Sequence, residues 1–210
     1  MSRIRAVIFD LDNCLAAADE AGEQLFKPAF DAIRAANHGR LSEDELSAAF
    51  ADCWRHALDY VARKHHFSDE MYRAGFEVFR RIEVKQPLRG YGDLHVLRTL
   101  PWKRILVTSG FRRLQESKIN ALGIRGVFDE IHVHAIDEDA PGKKETFERL
   151  LSRHGWRPEE VLVVGDNAES EIAAGSELGM PTVQTLRAGV PYAPAAERHI
   201  RSLDELMSYA

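Results

Sequence analysis

Ala6-Val7-Ile8-Phe9-Asp10-Leu11-Asp12 decides the fold: an unbroken apolar run, β-branched and aromatic, that ends in two acids separated by one residue. A strand covered on one face alternates apolar and polar residues. A run without alternation suits a strand covered on both faces of a parallel sheet. Two later runs repeat the pattern. Arg104-Ile105-Leu106-Val107 ends in Thr108-Ser109-Gly110, and Val161-Leu162-Val163-Val164 ends in Gly165-Asp166. Fainter strand signals lie at 130–134 and 182–186. Helical periodicity separates the runs over 113–122, 144–154 and 169–178, with stops at Gly123, Gly155 and Gly179. The alternation predicts an α/β fold, a doubly wound parallel sheet with helices on both faces.

From 16 to 87 the alternation lapses into amphipathic helices. Leu25, Ala29, Ile33 and Ala36 mark a helix over 21–36. Ser42-Glu43-Asp44-Glu45 fits a capping box opening a second helix, expected to run to about His65. Ser68-Asp69-Glu70-Met71 opens another, expected to end near Pro87, with the sheet resuming near Gly90. The predicted organisation is a core of 1–15 and 88–210 carrying an all-α cap of 16–87.

Bulk properties narrow the partners. The chain has 210 residues, 45% hydrophobic and 29% charged, with a formal net charge of -5, the balance of a globular domain. It has no long basic stripe, which argues against a nucleic-acid partner. The apolar run at the N-terminus is too short for a signal peptide, and no run is long enough to span a membrane. The two cysteines, Cys14 and Cys53, have neither C-x-x-C nor metal-ligand spacing. A cytoplasmic protein, monomer or homodimer, is expected.

The chemistry follows from the strand ends. Ligands of open α/β sheets bind beyond the carboxyl ends of the strands, near the point where strand order reverses. Neighbouring strands would bring Asp10, Asp12, Thr108, Ser109 and Asp166 to one crevice. One such residue is an ordinary turn former, but three strands ending this way point to a site. Like charges ~4 Å apart cost about 4 kcal/mol at an effective dielectric of 20, and a hard divalent cation with oxygen ligands relieves that repulsion. Beside it, Asp10 can act as a nucleophile on phosphorus. A partly desolvated Asp12 can serve as general acid on the leaving oxygen and then as base on water.

Val7-Ile8-Phe9-Asp10-Leu11-Asp12-Asn13-Cys14-Leu15 resembles the first motif of the haloacid-dehalogenase superfamily. Leu106-Val107-Thr108-Ser109-Gly110, with Gln115, Lys118 and Leu122-Gly123 downstream, resembles the second. Gly142-Lys143-Lys144-Glu145 resembles the third. Val163-Val164-Gly165-Asp166, through Glu171 to Leu178-Gly179-Met180-Pro181, resembles the fourth. The resemblance implies a Rossmann-like core with a small helical cap, and a Mg²⁺-dependent phosphatase acting on a small phosphorylated metabolite through an aspartyl-phosphate. It makes Asp10 nucleophile and metal ligand, and Asp12 acid/base and, through its backbone carbonyl, metal ligand. Thr108, Ser109 and Gly110 hold the phosphoryl group, Lys143 neutralises nucleophile and phosphate, Asp166 binds Mg²⁺, and Glu171 holds the lysine or a metal-bound water.

Three positions depart from the family pattern. Cys14 stands where Thr or Val is usual, Glu171 where Asp is usual, and the third motif offers both Lys143 and Lys144, of which Lys143 is preferred. His132 and His134 share a strand face and are read as an edge-strand pair. The 137–139 acids are read as a solvated loop. Arg112 and Arg113 are placed either on a substrate or on a helix surface. Lys27, Arg55, His56, His65 and His66 in the cap are nominated for no role. The rival functions are a phosphomutase, a haloacid dehalogenase-type hydrolase, a phospho-accepting signalling domain and an inactive phospho-ligand-binding protein.

Overall fold

The computed structural model describes residues 4–209. Six parallel strands form one sheet: β1 (Ala6–Phe9), β2 (Lys103–Gly110), β3 (Glu130–Ala135), β4 (Val161–Gly165), β5 (Thr182–Thr185) and β6 (Arg198–Ile200), in the order β3-β2-β1-β4-β5-β6. β1 lies between β2 and β4, with Phe9 opposite both Leu106 and Val164. All four β1 residues are buried, as its unbroken apolar run requires. The two faces of the sheet bury alternate residues. Val7, Phe9, Leu106 and Val164 pack with Leu97, Ile119 and Leu203 on one side. Ala6, Ile8, Ile105 and Val163 pack with Phe147, Leu150 and Ala174 on the other. Three helices cover the sheet: α5 (Arg112–Ala121), α6 (Lys143–His154) and α7 (Ala173–Glu177). The chain builds outward from β1 to β3, then α6 returns it to β4 on the opposite flank, so strand order reverses between β1 and β4.

Between β1 and β2 lie α1 (Lys27–Ala35), α2 (Glu43–Asp52), α3 (Leu58–Lys64) and α4 (Asp69–Phe79). They share a second core rich in aromatic rings. Phe26 stacks on Trp54 at 4.2 Å between centroids, and Phe30 stacks on Phe50 at 4.3 Å. Phe111 and Leu114, at the start of α5, join that core and seat it on the sheet. The chain crosses between the two bodies twice. Glu20, on the outward crossing, accepts hydrogen bonds from the amides of Arg89 (2.5 Å) and Gly90 (3.0 Å) on the return. The Tyr91 amide donates to the Leu15 carbonyl beside them.

Several sequence expectations change. The Ser42 capping box forms, its hydroxyl accepting from the Glu45 amide and the Glu45 carboxylate accepting from the Ser42 amide. The helix it opens stops at Asp52, not near His65, and the chain turns before α3. The turn aims Arg55 at the sheet, described below. The helix opened by Ser68 ends at Phe79 rather than near Pro87, because Ile82 turns into the second core and the Val84 amide donates to Ser117 Oγ. The helix expected over 21–36 begins at Lys27, after a short 3-10 turn at Glu23–Leu25. The sheet resumes at Lys103 rather than near Gly90, and a 3-10 turn at Leu94–Arg98 fills the interval. The helix expected over 169–178 is a π turn at Ala168–Ile172, with non-helical geometry at Ser170, followed by α7. β6 was not foreseen. Among the described residues, no helix is long and apolar enough to cross a membrane.

Candidate active site

The carboxyl ends of β1, β2 and β4 meet at one mouth. Asp10 follows β1 and its amide donates to the Val164 carbonyl at 2.9 Å, which levels it with the end of β4. Asp166 follows β4. Carboxylate oxygens of Asp10, Asp166 and Glu171 lie within 4.8 Å of one another, and all three residues are buried. Burial pushes the Asp10 carboxyl up to about 7; Lys143 opposes this while Glu171 and Asp12 add to it. Burial, then Glu171 and Asp10, push Asp166 up to about 8, against the pull of Arg55 and Lys143.

Lys143 is the first residue of α6, a poor place for a cation given the positive end of the helix dipole. Two carboxylates offset that. Its Nζ donates to Asp10 Oδ1 and to Glu171 Oε2, each at 2.7 Å, and its own side chain is 8% exposed. The acids raise its pKa despite burial. Lys144, one residue on and so about 100° around the helix, points away and pairs at the surface with Glu177 at 2.6 Å. A sequence signal for this choice exists. Lys143, Thr146, Phe147 and Leu150 are the buried positions of α6, spaced as one helical face.

Glu171 Oε1 accepts from the Asn167 amide at 2.7 Å, so its carboxylate bridges the lysine and the loop after β4. The longer side chain fits because residue 165 is glycine. A Cβ there would lie 2.3 Å from Glu171 Oε1.

Asp12 does not join the three clustered carboxylates. Gln115 Nε2 donates to its Oδ2 at 2.9 Å and Lys118 Nζ to its Oδ1 at 2.6 Å. The metal role expected of Asp12 is through its backbone carbonyl, which those contacts leave untouched. The Gln115 amide also donates to Thr108 Oγ1 (2.6 Å) and to the Ser109 carbonyl (3.0 Å), so one side chain sets the geometry of both strand ends. Gly110 lies against it: a Cβ would meet the Gln115 side chain at 3.2 Å, at a φ of +147°. Ser109 Oγ and His134 Nδ1 are 3.2 Å apart.

The structure brings Asp10, Asp12, Thr108, Ser109, Gly110, Lys143, Asp166 and Glu171 to one cavity. Cys14 is buried, its Sγ 3.7 Å from the Val164 carbonyl, and burial with the nearby Asp10 and Asp166 pushes its pKa well above the usual thiol range. It fills space as an inert thiol. His134 lines the cavity, which differs from the expected surface pair, whereas His132 bonds Glu130. Arg112 Nε donates to Glu138 and Arg113 pairs with Glu83, so neither is held out for a substrate. Asp137 is not merely solvated; it accepts the Arg112 amide at the start of α5.

Two residues of the helical segment reach the site: Arg55, given no role above, and Tyr60, which the sequence does not single out. Arg55 Nη2 donates to Asp166 Oδ2 (3.3 Å) and Nη1 to the Gly189 carbonyl (3.2 Å). Tyr60 OH donates to Glu169 Oε2 at 2.6 Å. No periodicity points to either, because their partners lie more than a hundred residues away in the chain.

The donor set suits a hard divalent ion. Three buried oxygen donors are clustered, no thiol or imidazole is among them, and the carboxyls of Asp10 and Asp166 are raised first by burial and then by neighbouring carboxylates, Glu171 above all, a cost that a cation would relieve. The sign of the linkage gives a test. Both groups have folded pKa values above the unfolded one, so the cost they impose is absent below about pH 4 and grows as pH rises toward 8. Millimolar MgCl₂ is therefore expected to raise the melting temperature relative to EDTA by clearly more at about pH 8 than at about pH 5. Identical melting with and without Mg²⁺ at the higher pH would rule the ion out.

Comparison with known proteins agrees with this geometry. The family model for haloacid dehalogenase-like hydrolases matches residues 4–179. The chain is 30% identical over 199 residues to a glyceraldehyde 3-phosphate phosphatase of Methanopyrus kandleri, covering 88% of this chain and 84% of the relative. It is 25% identical to the pyrophosphatase PpaX of Halalkalibacterium halodurans, covering 96% and 90%. A HAD phosphatase from Thermococcus onnurineus shares the fold, with a TM-score of 0.64 at 23% identity over 98% of this chain and 97% of that one. Sheet order, strand-end acids and family match together make this chain a phosphatase-like member of the haloacid dehalogenase-like hydrolase family.

Proposed function

We propose that the chain hydrolyses a small phosphate monoester in two displacements, with Asp10 as nucleophile and Asp12 as acid and base. The observation that carries this is the buried Asp10 carboxylate held at 2.7 Å by Lys143, beside Asp166 and Glu171 and opposite the end of β2. A carboxylate oxygen of Asp10 attacks phosphorus, the bond to the leaving oxygen breaks, and that oxygen takes the proton of Asp12. Asp12, now a carboxylate, accepts a proton from water. The water oxygen attacks the aspartyl-phosphate, the bond to Asp10 breaks, and phosphate leaves. Gln115 and Lys118 fix the Asp12 carboxylate for both transfers. Thr108 Oγ1 and the Ser109 amide orient the phosphoryl oxygens, and Lys143 balances their charge. Mg²⁺, held by Asp10, Asp166 and the Asp12 carbonyl, would supply the charge that lets an anionic ester approach an anionic nucleophile. The helical segment 16–87 acts as a cap, and its Arg55 and Tyr60 contacts with the loop after β4 favour a closed site that excludes water.

Phosphate release from a panel of monoesters, with Mg²⁺ and with EDTA, tests the reading. Asp12→Ala is expected to lower turnover about 10²- to 10⁴-fold, the usual worth of a general acid. Full turnover by Asp12→Ala would remove the acid/base assignment.

A further inference from the structure

The cavity between the sheet and the helical segment has a volume of about 460 Å³, room for a leaving group beyond the phosphoryl end. Part of its wall is apolar, formed by Phe26, Trp54, Phe79, Phe111, Leu114 and Ile136. Two stacked pairs contribute. Phe26 and Trp54 lie at 4.2 Å with ring planes 10° apart, and Phe79 and Phe111 at 5.5 Å with planes 8° apart. These rings come from both bodies, so the wall is complete only where the helical segment meets α5.

The charges around the cavity are all engaged. Four lysines and arginines line it. Lys143 lies between Asp10 and Glu171, Lys118 on Asp12, Arg55 on Asp166, and Lys144 on Glu177. Both lining histidines, His56 and His134, have pKa values lowered chiefly by burial, which favours the uncharged ring. Seven acidic residues also line the cavity. Asp59 and Glu169 among them are paired with Arg63 and Tyr60. Among the described residues, a second anionic group on the substrate would find no lining lysine or arginine without a carboxylate partner.

From this wall and these pairings we infer that the leaving group is uncharged and carries an apolar or aromatic part, so the site takes monophosphate esters of apolar alcohols and rejects phosphate compounds with a second anionic group. The inference rests on the phosphatase reading and specifies its substrate class. An apolar alcohol gains from covering the half-buried Trp54 and Ile136 at the edge of this wall, whereas a carboxylate or second phosphate is desolvated there without a partner.

The test is phosphate release by the full chain with Mg²⁺ from 2-phenylethyl phosphate, glycerol 3-phosphate, 2-phosphoglycolate and pyrophosphate. The first two leave as alkyl alcohols, so their difference reports on the wall rather than on leaving-group reactivity. The expected kcat/KM for 2-phenylethyl phosphate is at least ~10-fold above glycerol 3-phosphate, the scale of discrimination by an apolar pocket, and higher still above the two compounds that carry a second anionic group. Trp54→Ala is expected to narrow the first ratio. Equal kcat/KM values, or a preference for 2-phosphoglycolate or pyrophosphate, would overturn the substrate class while leaving the phosphatase standing. Absence of phosphate from all four, and from a wider monoester panel, would overturn the phosphatase reading itself.

Discussion

Asp10→Asn is expected to lower phosphate release by about 10⁴-fold or more, the scale seen when a covalent nucleophile is removed. The substitution keeps the shape of the side chain and leaves an amide oxygen able to accept from Lys143 in place of Oδ1. What it removes is the charge and the nucleophilic lone pair, since an amide oxygen does not form the acyl-phosphate. It also removes one of three mutually repelling carboxylates. The variant should therefore fold, and in EDTA at about pH 8 it should melt no lower than the parent. Its Mg²⁺-dependent gain in melting temperature should shrink, because one donor is lost. Phosphate release and thermal melting on the same preparation separate the roles. A folded variant that keeps more than about a hundredth of the parent rate would place the nucleophile elsewhere.

Lys143→Ala is expected to cost both activity and stability, and Lys144→Ala neither. Removing Nζ leaves Asp10 and Glu171 without the cation that bonds each of them, in a region where all three side chains are nearly inaccessible. Breaking a buried ion pair from one side costs about 3–5 kcal/mol. The loss should be smaller near pH 5 than near pH 8, because the Asp10 carboxyl, which burial already pushes up to about 7, is protonated at the lower pH and has less need of the lysine. Turnover should fall about 10²- to 10³-fold, as when a preorganised electrostatic contact is deleted. Lys144 pairs with exposed Glu177 at the surface, so its loss should leave stability close to the parent. Urea denaturation of both variants at two pH values checks this, and equal losses from the two lysines would refute it.

The legible part of the fold was the part written in local pattern. β1, β2 and β4 are covered on both faces and announce themselves as apolar runs, so the residues at their carboxyl ends could be placed on one edge before any coordinates. β6 could not be read, because it has three residues and only Ile200 is buried. The break between α2 and α3 leaves no Gly or Pro in the sequence. It is imposed by contacts of Trp54 and Arg55 with the loops after β1 and β4. Arg55 and Tyr60 meet partners 111 and 109 residues away, and nothing in their neighbours encodes that. The lysine choice lay between, since the spacing of Phe147 and Leu150 already put Lys143 on the inward face of α6.

The Glu20 carboxylate also has a mechanical meaning. One side chain fastens the amides of Arg89 and Gly90, and beside it the Leu15 carbonyl accepts from the Tyr91 amide, so the outgoing and returning chains are clasped together at one place. Crossings left unfastened would allow the helices to slide across the mouth of the sheet, whereas this clasp leaves them a swing about one place. A foreign helical module spliced in beyond residue 20 and before residue 89 would then inherit its arc from the recipient, not from its own helices.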